Sequence, residues 1–80
     1  MKYTINTEIY YKGDNANIPD FGKITNIDNN YTITLDDGRV FRGIFEAMIG
    51  GSMHSGMHRF MLKSEYDKEK NKVLNYYKRT

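Results

Sequence analysis

The segment Tyr31-Thr32-Ile33-Thr34-Leu35-Asp36-Asp37-Gly38-Arg39-Val40-Phe41-Arg42-Gly43-Ile44-Phe45 carries the cleanest pattern in the chain. Tyr31 to Leu35 alternates apolar residues with threonine, the period of a half-buried strand. Asp36-Asp37-Gly38 then supplies turn chemistry, and a second strand returns through Val40 and Phe41. Two hairpin registers fit. A two-residue turn at Asp37-Gly38 pairs Leu35 with Val40 and Ile33 with Arg42. A three-residue loop with Gly38 left-handed pairs Leu35 with Arg39 and Ile33 with Phe41. The first sets a guanidinium among apolar residues, where an unpaired charge is costly. The second gathers Tyr31, Ile33, Leu35, Phe41 and Phe45 on one face and leaves Arg42 outside with Thr32 and Thr34. The second is the register the sequence predicts.

Working outward, Tyr3 to Tyr11 also alternates, with Tyr3, Ile5, Ile9 and Tyr11 on one face and Thr4, Asn6, Glu8 and Tyr10 on the other, which predicts a first strand. Gly13 to Asp20 is polar, ends in Pro19-Asp20 and reads as a loop. A second strand is expected over Phe21 to Ile27, with a tight turn at Asp28-Asn29-Asn30. Arg59-Phe60-Met61-Leu62 predicts a short last strand. From Ser64 the pattern changes to helix. Ser64 suits a cap, Glu65 and Asp67 suit the positive end of the macrodipole, and Tyr66, Val73, Leu74 and Tyr77 form one apolar stripe. The fold class is therefore mainly β with one C-terminal helix. The leading architecture is a small SH3-like barrel of about five antiparallel strands, residues 1–63, followed by a helix over 64–80. The alternative is an open antiparallel sheet with the helix packed on one face.

Eighty residues make a single domain. With no cysteine, a disulfide scaffold, a thiolate metal site and a cysteine nucleophile are excluded. Seven tyrosines and four phenylalanines must then supply much of the core. The formal net charge of +2 is too mild for dedicated binding to bulk DNA. No apolar run is long enough to cross a membrane, and no signal segment is evident, so a cytoplasmic protein is the expectation.

Four segments stand out together: Tyr10-Tyr11-Lys12-Gly13-Asp14-Asn15-Ala16-Asn17, Phe21-Gly22-Lys23-Ile24-Thr25, Asp36-Asp37-Gly38-Arg39-Val40-Phe41-Arg42-Gly43-Ile44 and Arg59-Phe60-Met61-Leu62-Lys63-Ser64-Glu65-Tyr66. In this combination the chain resembles a family of small phage and bacterial mobile-element proteins. The chain departs from the pattern where Lys12 stands for threonine and Asn15 for methionine. The resemblance implies an origin and, through it, a task against host defence. It transfers no catalytic residue.

No phosphate loop, nucleophile elbow, zinc-helix motif or dinucleotide fingerprint occurs, and no nucleophile, base and orienter stand together, so no enzyme is expected. His54 and His58 have the i, i+4 spacing of metal ligands on a helix, with Glu46 or Glu65 to complete a set. Gly56 between them and Gly50-Gly51-Ser52 before them oppose that helix. Two exposed histidines, with no metal and no cofactor, are the expectation. Met53, Met57 and Met61 recur every four residues and suit core or subunit packing, so a homo-oligomer is anticipated. Residues 1–57 carry five Lys/Arg and seven Asp/Glu, whereas 58–80 carry seven and three. Acidic and basic residues alternate along the tail, as on a solvated helix face.

Arg39, Arg42 and Arg59 are the candidate ligand arms, joined by His54 and His58, since guanidinium forks match phosphate oxygens. Tyr10 and Tyr11 are the candidate stacking platform for a base. The expected function is a non-enzymatic binding module for a phosphate-bearing ligand, a nucleotide signal or nucleic acid. The alternative is an adaptor or inhibitor that binds a host protein through the Met/His segment and a sheet edge.

Overall fold

The computed structural model describes residues 2–53 and 58–78, with side chains up to residue 72. Five strands form one antiparallel sheet: β1 (Glu8–Tyr11), β2 (Asp20–Ile27), β3 (Tyr31–Leu35), β4 (Val40–Ile44) and β5 (Phe60–Leu62). A single helix, α1 (Lys63–Lys78), follows β5 directly. The spatial order is β4-β3-β2-β1-β5. Among the described residues no ladder joins β4 to β5, so the sheet is open, as in the alternative architecture, and a closed barrel is not formed. The outer edge of β5 is occupied instead. After β4 a 3₁₀ turn (Glu46–Met48) sends the chain back, Ile49 bridges Phe60 in parallel and the Gly50 amide donates to the Phe60 carbonyl at 3.0 Å.

The central hairpin adopts the three-residue loop. Ile33 pairs with Phe41, the Leu35 amide donates to the Arg39 carbonyl at 2.8 Å, and Gly38 is left-handed at φ 96°. Beyond Phe41 the register shifts, with Tyr31 opposite Ile44. The extra residue lies on β4, where Gly43 takes φ 67°, a conformation glycine adopts without Cβ strain. This bulge reverses the expected facing of the strand end. Ile44 is buried, while Phe45, expected in the core, is 60% exposed.

The first strand is also shorter than its alternation predicts. Residues 4–7 close a turn in which the Thr7 amide donates to the Thr4 carbonyl and Asn6 sits at φ 71°. Asparagine tolerates that region better than most residues. The reversal leaves Ile5 exposed, although it was expected beside Ile9.

Ile9, Tyr11, Ile24, Tyr31, Ile33, Leu35, Ile44, Ile49 and Phe60 make one buried cluster on the inner face. Tyr3 packs on Tyr31 at a ring separation of 5.8 Å. The Tyr31 hydroxyl donates to Glu46 at 2.7 Å and accepts from the Tyr3 amide at 3.0 Å, so the opening segment is clasped to the 3₁₀ turn. A smaller layer lies on the other face of the sheet. There Met61 is fully buried and pairs with Tyr10, and Tyr66 of α1 stacks on Tyr10 at 4.2 Å. The helix begins at Lys63, one residue before the expected start, which places Ser64 inside its first turn. Of the expected stripe, Tyr66 meets the sheet; the side chains of Val73, Leu74 and Tyr77 lie outside the described residues.

The bulge makes a measurable distinction between neighbours. Ile44→Ala is expected to cost about 2–4 kcal/mol, the usual range for a large apolar truncation in a core. Phe45→Ala should stay within about 0.5 kcal/mol, as for an exposed site. Paired urea melts of the two variants measure the difference, and equal losses would contradict the register.

Candidate functional site

The site grows from the end of β1. Strand alternation turns Tyr11 into the core, where its ring meets Phe41 at 4.9 Å and Phe60 at 5.2 Å. A buried tyrosine needs a partner for its hydroxyl. That partner is Asp14, at 3.1 Å. Between them Gly13 reverses the chain at φ 79°, and an added Cβ there would lie 2.8 Å from the Asn17 carbonyl oxygen. Asp14 then organises the loop beyond it, accepting from the amides of Ala16 and Asn17 at 2.8 and 2.9 Å and from the Asn17 side chain at 3.0 Å. These donors, led by the Ala16 amide and the Asn17 side chain, hold its carboxyl down at about 2. Burial, and after it the bond donated to Asp14, pushes the Tyr11 hydroxyl up.

Across from this loop stands Arg59, immediately before β5. Its side chain is 63% exposed, and its guanidinium reaches Asp14 at 3.5 Å. The Arg59 carbonyl accepts from the Lys12 amide at 2.8 Å, which fixes the two segments side by side. Between them opens a concavity of about 330 Å³, lined by Lys12, Gly13, Asp14, Asn15, Met53, His58 and Arg59. Lys12 is anchored there, since its ammonium donates to the Ser52 carbonyl at 2.9 Å, and burial lowers its pKa. Glu69 of α1 accepts from the Met53 amide at 3.0 Å, tying this rim to the helix.

The structure gives the three arginines separate surroundings. Arg39 binds Asp37 through Nε at 2.8 Å and the Ile18 carbonyl through Nη2 at 2.8 Å, while its guanidinium lies 5.6 Å from the centre of the Tyr11 ring. It therefore tethers the loop before β2 to the hairpin turn. Arg59 contacts Asp14, the partner of the same tyrosine's hydroxyl. Arg42 stands apart, exposed on β4 and on the face opposite Phe41, because successive strand residues alternate. His58 lines the concavity, whereas His54 lies outside the described residues.

Neither tyrosine offers an open ring face in the expected way. Tyr11 is 1% exposed, and Tyr10 is sandwiched near Tyr66 and Phe21, whose ring centre is 5.0 Å away. The helix returns over the outer face of β1, which strand alternation alone does not reveal. Sequence reasoning assigned Asp14 to turn chemistry and passed over Lys12. The signal for both was present, because a core-facing Tyr11 followed by Gly13-Asp14 must direct its hydroxyl toward that turn. Among the described residues no cluster of three or more histidine or carboxylate side chains is arranged to hold a metal ion, and no helix is long and apolar enough to cross a membrane. No family model, no curated protein and no solved structure matches the chain.

Asp14 sets a pH dependence whose sign follows from linkage. Its folded value lies below the ordinary 3.8, so the stabilisation is present above that value and is lost as pH falls toward about 2. Glu46, held below its ordinary range first by the Tyr31 hydroxyl and then by the Lys2 amide, acts in the same direction. Thermal melts should therefore show stability declining below about pH 4, the Asp reference value. Asp14→Asn should flatten that decline.

Proposed function

We propose that this protein is a non-enzymatic binding module that takes a nucleotide or similar small phosphate-bearing ligand in the concavity beside Arg59. The observation that carries the reading is the state of Asp14. Its carboxylate is satisfied by the Ala16 and Asn17 amides, the Asn17 side chain and the Tyr11 hydroxyl, without Arg59. The Arg59 contact is long and solvent-exposed, so it holds the guanidinium only weakly. Arg59 is thus an available fork, and a phosphate group, with two oxygens to offer, is a better bidentate partner for it than the occupied carboxylate.

Size and charge favour a small ligand over duplex nucleic acid. A volume of about 330 Å³ lies at the lower end of small-molecule sites. The formal net charge of +2 gives little general attraction to a polyanion. Arg39 then acts as a positioning residue, bracing Tyr11 from the hairpin side. The phage or mobile-element origin implied by the sequence resemblance makes sequestration of a host nucleotide signal a fitting task for such a module.

Native mass spectrometry of protein purified from cells, together with thermal shifts against a nucleotide panel, tests the reading. A binding nucleotide should raise the melting temperature, with about 2.7 kcal/mol of added stability at a ligand concentration one hundred times Kd. Arg59→Ala should abolish the shift and leave the ligand-free melting temperature essentially unchanged. No shift with any nucleotide, and no retained mass, would overturn the proposal. Binding that weakens steeply with salt would reassign the site to nucleic acid.

A further inference from the structure

We propose that the outer edge of β4 is a docking strand for an acidic extended segment of another protein, specified by Arg42. β4 is the terminal strand of the sheet, with β3 as its neighbour on one side. The Leu35 amide donates to the Arg39 carbonyl, so Arg39 faces β3. Antiparallel alternation then turns the main-chain amide and carbonyl groups of Val40 and Arg42 toward the open side. Such a row of groups accepts an added strand. Val40 is 46% exposed, and Phe45, displaced from the core by the bulge, is 60% exposed at the end of the same edge.

Charge selects the occupant. Arg42 is exposed, and among the described residues no carboxylate lies within ion-pair distance of it. Asp37, in the hairpin turn, is engaged by Arg39. A second copy of the chain is a poor occupant, because antiparallel pairing of two β4 edges brings Arg42 opposite or diagonal to its own equivalent. Like charges in those positions destabilise the pair. A strand carrying glutamate or aspartate opposite Arg42 is matched, and the same charge that blocks self-pairing admits it. This site is separate from the Arg59 concavity.

The test uses short fluorescent peptides alternating glutamate with valine, or lysine with valine, titrated against the whole protein. The glutamate peptide should bind, and should slow amide exchange at Val40 and Arg42. Arg42→Glu should lower its affinity by at least about tenfold and turn the preference to the lysine peptide, since like-charge juxtaposition is strongly unfavourable. Should that variant not fold, Arg42→Gln must remove the preference between the peptides. Arg59→Ala must leave peptide affinity unchanged, which separates failure here from failure at the concavity. Equal binding of both peptides, exchange protection elsewhere, or concentration-dependent dimerisation that protects the same amides would overturn the assignment.

Discussion

Position 22 has no room for a side chain. Gly22 lies within β2, paired with Ile9 on one side and Leu35 on the other. A Cβ there would press on the Thr34 carbonyl oxygen and lie 2.8 Å from Leu35 Cα. Glycine in a strand interior marks such close approaches of backbone. Here it lets Leu35 close over β2 beside Ile9, and the inner face becomes one continuous apolar cluster. Tyr11, two residues beyond Ile9, is drawn into that cluster, and its hydroxyl is directed to Asp14. The geometry of the candidate site therefore descends from a packing requirement at the centre of the sheet.

A chain of this size has little core to spare, and it uses tyrosine to extend that core outward. Tyr11 and Tyr31 bury their rings and each donates a hydroxyl to a carboxylate at the rim, Asp14 and Glu46. Each carboxylate in turn accepts main-chain amides from a segment that has no regular secondary structure. The same device thus anchors the loop after β1 and the segment before it. Burial supplies the apolar stabilisation, while the hydroxyl transmits position to a loop. Among the described residues no buried side-chain nitrogen or oxygen lacks a hydrogen-bond partner, which is the condition for such a device to stabilise the fold.

The hairpin register was legible because two local signals agreed. Gly38 permits the left-handed turn, and the competing register would have buried Arg42. Two departures share one cause. Gly43 and Asn6 each take positive φ and interrupt a period of two, so the alternation read through them assigns Phe45 and Ile5 to the wrong face. Gly43 carried a usable warning, since glycine inside a strand pattern often marks a bulge. The site was less legible than the fold. Whether Arg39, Arg42 and Arg59 meet depends on which strands are neighbours and on which carboxylates lie near each. Arg39 is taken by Asp37, two residues away, whereas Arg59 contacts Asp14, which is distant in sequence but follows β1, the strand paired with β5.

The distribution of partners also explains why a nearly neutral protein presents cationic points. Asp14 and Glu46 are committed chiefly to amides and tyrosine hydroxyls, where they close turns and hold segments. A carboxylate so engaged still carries its charge, but its lone pairs are no longer offered to a guanidinium with good geometry. Arg42 and Arg59 stand at exposed positions. Arg59 retains a long contact to a satisfied acid, and Arg42 has none among the described residues. The acids that close these turns thus spend their lone pairs on internal hydrogen bonds, so exposed guanidinium groups coexist with a formal net charge of only +2.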